Sequence, residues 1–168
     1  MSDSPAAAAP HGAFTRLGLA LALGVVVLDQ ISKWVVLAQF ADAPRAIEVL
    51  PIFNLVLVWN KGVSFGLFGS ASPWGPWILA GLAIVISGFL ARWMTRAETR
   101  VTALGLALII GGAVGNVIDR VRFGAVVDFL DVHVWGYHWP AFNVADSAIT
   151  IGAAVLILET LFSGRETP

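Results

Sequence analysis

Four long apolar runs, each about as long as the roughly 20 helical residues a bilayer crossing takes, leave this chain little choice of fold. They cover about residues 14–37, 74–94, 101–119 and 143–162. In lipid a backbone amide finds no water, so each run is predicted to be a helix that satisfies its own hydrogen bonds. No ten-residue alternation of the kind that builds a membrane barrel is present. Composition agrees with this reading. Of the 168 residues, 58% are hydrophobic and only 12% charged, against about 25% charged in a soluble domain. The expected organisation is one four-helix transmembrane domain over residues 14–168. An Ala/Pro/Ser-rich segment, residues 1–13, precedes it and is predicted to be disordered. Leu17 to Leu28 has the length of a signal-peptide core, but only Arg16 precedes it and no A-x-A-like site follows. The apolar pattern also resumes after Lys33, which favours a retained helix.

Several chemistries are excluded at once. The chain has no cysteine, hence no disulfide, thiolate metal site or cysteine nucleophile. Its histidines are His11, His133 and His138, and no H-E-x-x-H pattern occurs, so no metal site is expected. A formal net charge of -1 without a polybasic tract gives no reason to expect a nucleic-acid partner.

Arg92, Arg96 and Arg100 crowd the connection between the second and third helices, which places that connection and both termini in the cytoplasm. Arg45, Lys61, Arg120 and Arg122 fall on the other side and make the bias modest. The two longer connections lie on that outer side. Ile52-Phe-Asn-Leu-Val-Leu-Val-Trp59 is β-branched, aromatic and too short to span. In Asp128 to Trp135, Leu130, Val132 and Val134 alternate with Asp131 and His133. Both read as short strands of a small sheet over the bundle. Trp59, Trp74, Trp77, Trp135, Tyr137 and Trp139 flank the spans, as interfacial aromatics do.

The polar residues of the spans collect at one end. In an antiparallel bundle, the first and third helices finish where the fourth begins. Asp29 and Lys33 lie late in the first helix, Asn116, Asp119 and Arg120 end the third, and Asn143 and Asp146 start the fourth. Asn60 and Asp128 come from the outer loops. Ionisable groups at such depth are costly and mark sites or pairs. Each also has a structural reading. Asp29 and Lys33, four apart, suit a self-neutralising ion pair. Gly111 and Gly115 form a G-x-x-x-G packing pattern, with Gly112, Asn116 and Asp119 on one stripe. Asp119 and Arg120 suit scaffolding. Asn143 and Asp146 suit a helix cap. Asp128 suits an interfacial loop acid facing water. The chemical reading rests on a pair. Asp128 and Asp146, brought face to face by the returning loop, would share one proton. One would then activate water while the other polarises a carbonyl. The rival classes are an ion-coupled transporter and a scaffold protein. Against transport, the acids gather at one face and form no path across. A serine protease is disfavoured because Ser64 and Ser147 carry no signature.

Five blocks carry a family resemblance: Asp29-Gln-Ile-Ser-Lys33, Asn60-Lys-Gly-Val-Ser-Phe65, Gly111-Gly-Ala-Val-Gly-Asn-Val-Ile-Asp-Arg120, Gly124-Ala-Val-Val-Asp-Phe129 and Phe142-Asn-Val-Ala-Asp-Ser147. In their order and spread from first to fourth helix, they resemble the signature blocks of bacterial lipoprotein signal peptidases (signal peptidase II). The resemblance implies an inner-membrane aspartic endopeptidase without a cofactor. Such an enzyme cleaves diacylglyceryl-modified prolipoproteins just before the lipidated cysteine and is inhibited by globomycin. It places the catalytic dyad on Asp128 and Asp146. Supporting positions fall on Asp29, Lys33, Asn60, Gly62, Gly112, Asn116, Asp119, Arg120, Gly124 and Asn143. It likens the outer segments to a β-cradle and a short periplasmic helix. Four spans suffice for a monomer. The helix dipole at Asp146 is expected to leave the shared proton on Asp128.

Overall fold

The computed structural model describes residues 12–41, 46–62 and 73–163. Its helices are α1 (Thr15–Gln39), α2 (Gly75–Met94), α3 (Arg100–Phe123) and α4 (Val144–Ser163), each with a stretch long and apolar enough to cross a membrane. Four strands sit between them: β1 (Ile47–Leu50), β2 (Phe53–Asn60), β3 (Val126–Val134) and β4 (Tyr137–His138). They form one antiparallel sheet in the order β1-β2-β3-β4. Gly12, Ala13 and Phe14 make a turn into α1, Thr15 N–H donating to Gly12 C=O at 3.1 Å. Residues 1–11, with His11, lie outside the described residues, as do Arg45, Ser64 and Phe65. There is no fifth helix among the described residues, and residues 63–72 of the first outer connection lie outside them.

Helix α3 is the hub, packing against α1, α2 and α4. Glycine lets it come close. A Cβ on Gly111 would stand 2.7 Å from Ala22 C=O of α1, and one on Gly152 of α4 would stand 2.6 Å from Gly105 C=O of α3. The G-x-x-x-G therefore works on α1, and Gly105 with Gly152 repeats the device toward α4. The helix runs one turn past the expected end at Asp119. It stops where Gly124 takes a left-handed conformation (φ 70°) and donates its N–H to Arg120 C=O at 3.0 Å. That reversal feeds β3 directly.

Burial in the spans is inverted relative to a soluble bundle. Leu19, Leu23, Ile84 and Phe89 are exposed on the outer surface, whereas Asp29, Lys33, Asn116 and Asp119 are buried. Lipid is as good a solvent for leucine as another leucine, so the polar residues, which lipid rejects, take the interior. One apolar cluster, with Met94 and Leu106, fills the bundle at the end away from these residues. A second joins Val36 of α1 and Phe40, which follows the helix, to Phe129 of β3 and seats the sheet on the bundle.

The two strands expected from sequence are β2 and β3. β3 ends at Val134, one residue early, because Trp135 and Gly136 have positive φ (50° and 81°) and form a two-residue hairpin turn. Strands β1 and β4 are additions the sequence pattern did not announce.

Candidate active site

Lys33 lies at the centre of the buried polar layer. Its ammonium meets Asp29 Oδ2 and Asp119 Oδ2, each at 2.8 Å, and donates to Asn116 Oδ1 at 3.1 Å. All three ammonium protons thus have acceptors. One cation against two carboxylates leaves negative charge to stabilise, and further N–H donors do so. Asp29 Oδ1 accepts the Ala145 N–H at 2.9 Å, Asp119 Oδ2 accepts the Val127 N–H at 3.1 Å, and Gln30 Nε2 donates to Asp29 Oδ2 at 3.2 Å and Asp119 Oδ1 at 3.0 Å. The Asp29–Lys33 ion pair read from the i, i+4 spacing is present. The structure adds Asp119 to it and ties α1, α3, α4 and β3 together. Gln30 was missed; an uncharged amide in a helix leaves no sequence signal beyond polarity.

Asn116 passes this layer on to Asp146. With its oxygen facing Lys33, its Nδ2 donates to Asp146 Oδ1 at 2.8 Å. Asp146 also closes a reciprocal cap at the start of α4. Its backbone N–H donates to Asn143 Oδ1 at 2.9 Å, while its own Oδ2 accepts the Asn143 N–H at 3.2 Å. The capping role is real, and it leaves Asp146 only partly buried.

Asp128 arrives from β3 and is 1% exposed. Asn143 Nδ2 donates to its Oδ1 at 2.7 Å and Asn60 Nδ2 to its Oδ2 at 2.9 Å. Asn143 therefore holds both acids, Asp128 by its side chain and Asp146 by its backbone and cap. The Asn60 amide is oriented in turn by Gly62, whose N–H donates to Asn60 Oδ1 at 2.8 Å. Gly62 has φ 76°, a left-handed conformation that favours glycine; a Cβ there would meet only the tip of the Leu79 side chain. Burial pushes the Asp128 carboxyl up to about 6, with the Asp146 charge adding and the Asn60 and Asn143 hydrogen bonds and the Lys33 charge opposing.

The remaining expected positions surround this pair. Arg120 lies within electrostatic reach of Asp146, Asp128 and Asp119. It donates from Nη1 to Asn116 C=O at 3.4 Å, and its buried Nε has no hydrogen-bond partner among the described residues. A Cβ on Gly112 would collide with Ala145 C=O of α4 and stand 2.8 Å from Ile149 Cγ1, so its absence sets the spacing of α3 and α4. Gly124 meets nothing and serves the chain reversal alone. No group of three or more His, Asp or Glu side chains among the described residues has metal-binding geometry.

A second polar cluster lies farther along the sheet, and the sequence pattern gave no sign of it. Asp131 is buried, accepts Asn54 Nδ2 at 2.9 Å and meets His138 Nδ1 at 2.8 Å. His138 stacks on His133 with ring centroids 4.8 Å apart. Burial alone would raise the Asp131 carboxyl, but the contacts with His138 and Asn54 hold it below the usual range.

Residues 21–162 match the family model described as signal peptidase (SPase) II. Among curated proteins, the lipoprotein signal peptidase of Methylobacterium sp. (strain 4-46) is 47% identical over 149 residues, spanning 88% of this chain and 90% of that protein. That of Cupriavidus necator is 50% identical over 147 residues, spanning 86% and 83%. Of solved structures, a bacterial membrane enzyme determined by the in meso method superposes with a TM-score of 0.79 at 29% identity, covering 92% of this chain and 93% of the other. A second one gives 0.78 at 30% identity, covering 92% and 96%.

Proposed function

The chain belongs to the signal peptidase II family, and from that premise we propose that Asp128 and Asp146 are its catalytic dyad. It is a membrane-embedded aspartic-type peptidase that removes the signal peptide from prolipoproteins. The observation that carries the residue assignment is Asn143, which bonds both carboxyl-bearing residues at once.

The chemistry needs one proton to serve two acids. Asp146, whose two oxygens accept donors at the start of α4, serves as the base. Asp128, whose pKa is raised, carries the proton. Asp146 takes a proton from water as the water oxygen attacks the scissile carbonyl carbon. Asp128 gives its proton to the carbonyl oxygen. Collapse of the tetrahedral diol breaks the C–N bond, the leaving nitrogen takes a proton from Asp146, and Asp128 recovers its own. Arg120, within electrostatic reach of both acids, is suited to steady the negative charge that develops on the scissile carbonyl oxygen. Asp29, Lys33, Asn60, Gly62, Gly112, Asn116, Asp119, Gly124 and Asn143 hold the geometry.

The substrate carries diacylglycerol on the cysteine that follows the cleaved bond. Drawing such chains out of lipid costs about 0.8 kcal/mol per methylene, so the bond stays near the interface. Asp146, in the first turn of α4, meets it at a depth of roughly 5 Å, where water is still available. The arginines at 92, 96 and 100 support cytoplasmic termini and a site on the periplasmic side of the inner membrane. The enzyme acts as a monomer, needs no cofactor, and is blocked by globomycin-type peptides that occupy the same site.

Cleavage of a lipidated prolipoprotein in detergent tests the assignment. Asp128→Asn and Asp146→Asn, each folded, are expected to lose roughly 10²–10⁴-fold in turnover. A folded variant at either position with near-normal turnover overturns the dyad.

A further inference from the structure

The β3–β4 hairpin presents its aromatic residues outward. Trp135 is 97% exposed, Tyr137 86% and Trp139 69%. The turn between Val134 and Tyr137 is only Trp135 and Gly136, both with positive φ (50° and 81°). Such a turn favours Asn-Gly or Asp-Gly, because its first residue must adopt the left-handed region. A bulky indole there is strained. The sequence thus forgoes an easy turn in order to place an indole at the tip.

The rest of the hairpin is built to hold that tip still. Asp131 bonds His138, His138 stacks on His133, and Asn54 ties Asp131 to β2. The Trp139 N–H donates to Val132 C=O at 2.8 Å, and Phe142 bridges Leu130 just before α4. From Val132 to Ala145 there is no Asp, Glu, Lys or Arg, so the tip offers no charge pattern by which a protein partner would be chosen. Its Trp and Tyr rings, apolar with one polar edge, match the boundary between headgroups and acyl chains. Trp34, Trp74 and Trp77, near the end of α1 and the start of α2, are exposed as well, so the outer end of the bundle, from which β3 and β4 also come, carries further indoles of the kind that border a bilayer.

We propose that the β3–β4 hairpin is a membrane anchor, with Trp135, Tyr137 and Trp139 inserted into the interface of the leaflet on the site's side. Because Asp128 lies on the same strand, the anchor sets the height and tilt of β3 against the bilayer. The proposal stands apart from the assignment of the dyad, since its first test reads lipid contact and not cleavage.

The absence of native cysteine allows a clean probe. Tyr137→Cys, carrying an environment-sensitive fluorophore, is reconstituted in phosphatidylcholine/phosphatidylglycerol vesicles with and without lipids brominated high on the acyl chain. Glu48→Cys on β1 serves as the control position. Quenching at 137 is expected to exceed that at 48 by roughly threefold, and Trp135→Asn is expected to bring it down toward the control. The Asn-Gly turn that results suits the hairpin, so this variant should unfold in detergent at or above the wild-type temperature. In the same vesicles its cleavage rate should fall by a larger factor than in detergent. Equal quenching at 137 and 48 overturns the proposal. So does a fluorophore shielded without lipid quenching and released when protein is diluted in lipid, which would make the hairpin a contact between copies. A Trp135→Asn variant that loses thermal stability in detergent also overturns it, since the indole would then be a structural residue.

Discussion

Asp29 Oδ1 accepts the backbone N–H of Ala145 at 2.9 Å, joining residues 116 positions apart in the chain. Ala145 lies in the first turn of α4, where N–H groups have no partner within the helix, so a side chain of α1 supplies one. The same carboxylate meets Lys33 through its other oxygen. The start of α4, and with it Asp146, is therefore positioned by an ion pair in a different helix. Asp29→Asn keeps an acceptor and removes the charge. Removing one member of a buried pair costs about 3 kcal/mol or more, lessened here because Asp119 still faces Lys33. Adding Lys33→Met to Asp29→Asn should cost less than the sum of the single changes. Unfolding in detergent measures this coupling, and strict additivity would contradict it.

Asp146 does two separable things. As a cap it accepts the Asn143 N–H, a role an asparagine oxygen can also fill. As a carboxylate it takes part in the dyad. Asp146→Asn should therefore lower stability by no more than about 1 kcal/mol, and Asp146→Ala by about 1–2 kcal/mol. Both should be inactive. Comparable thermal unfolding of Asp146→Asn and wild type beside lost turnover is the expected pattern.

The raised pKa of Asp128 has a sign that can be checked. Folding binds the proton of this carboxyl more tightly than the unfolded chain does. The resulting stability is complete below the ordinary value of 3.8 and is lost as pH rises through about 6. A gap of about two units corresponds to roughly 3 kcal/mol. Wild type should lose stability from about pH 4 to about pH 6, and Asp128→Asn should lack that slope. With the proton on Asp128 in the free enzyme, kcat/KM should fall on the alkaline side with an apparent pKa near 6 that belongs to the pair. A flat profile across this range would contradict it.

Why some of this was legible in the sequence, and some not, comes down to range. Charges inside apolar runs stand out, so Asp29, Lys33, Asp119 and Asp146 could be grouped by helix order alone. The i, i+4 spacing gave Asp29–Lys33, but Asp119 as a second partner depends on how α1 and α3 are rotated, which spacing does not encode. Asp119 and Arg120 looked like a helix end because charges usually mark one. Here Lys33, Gln30 and Val127 satisfy Asp119 inside the bundle, and the helix continues to Gly124. Strand β2 announced itself through Leu, Val and Trp, whereas the two residues of β4 are too few to show a period. The Asp131–His138 contact needs the hairpin to fold before its members meet.

Glycines give a contrast within one molecule. A Cβ on Gly111 would meet the Ala22 carbonyl oxygen at 2.7 Å and Val25 Cβ at 2.8 Å. A backbone oxygen cannot rotate away, so Gly111→Ala should push α1 from α3 and cost about 1–3 kcal/mol. Gly88 of α2 has nothing within 4 Å. Gly88→Ala should be neutral or gain up to about 1 kcal/mol through helix propensity. Equal effects on unfolding would show that the α1–α3 approach is not limiting.

Asn143→Asp tests the bridge between the two acids most directly. Aspartate is as good a cap as asparagine, so the Asp146 N–H keeps its acceptor and α4 should start where it does now. What disappears is the Nδ2 donor, which serves Asp128 Oδ1 at 2.7 Å, Val127 C=O at 3.2 Å and Asn116 Oδ1 at 3.3 Å, and a carboxylate takes its place against a buried carboxyl. Like charges at that distance cannot both ionise cheaply, so a second proton should be held and Asp128 should titrate higher than about 6. The dyad would then be over-protonated near neutral pH, with no base left to activate water. Turnover should fall by roughly 10²-fold or more near pH 7, and whatever activity remains should rise with pH, opposite in sign to wild type. Asn143→Ala, which loses cap and bridge together, should be destabilised by about 1–2 kcal/mol without that reversal. A folded Asn143→Asp enzyme with the wild-type pH profile would remove Asn143 from the link between Asp128 and Asp146.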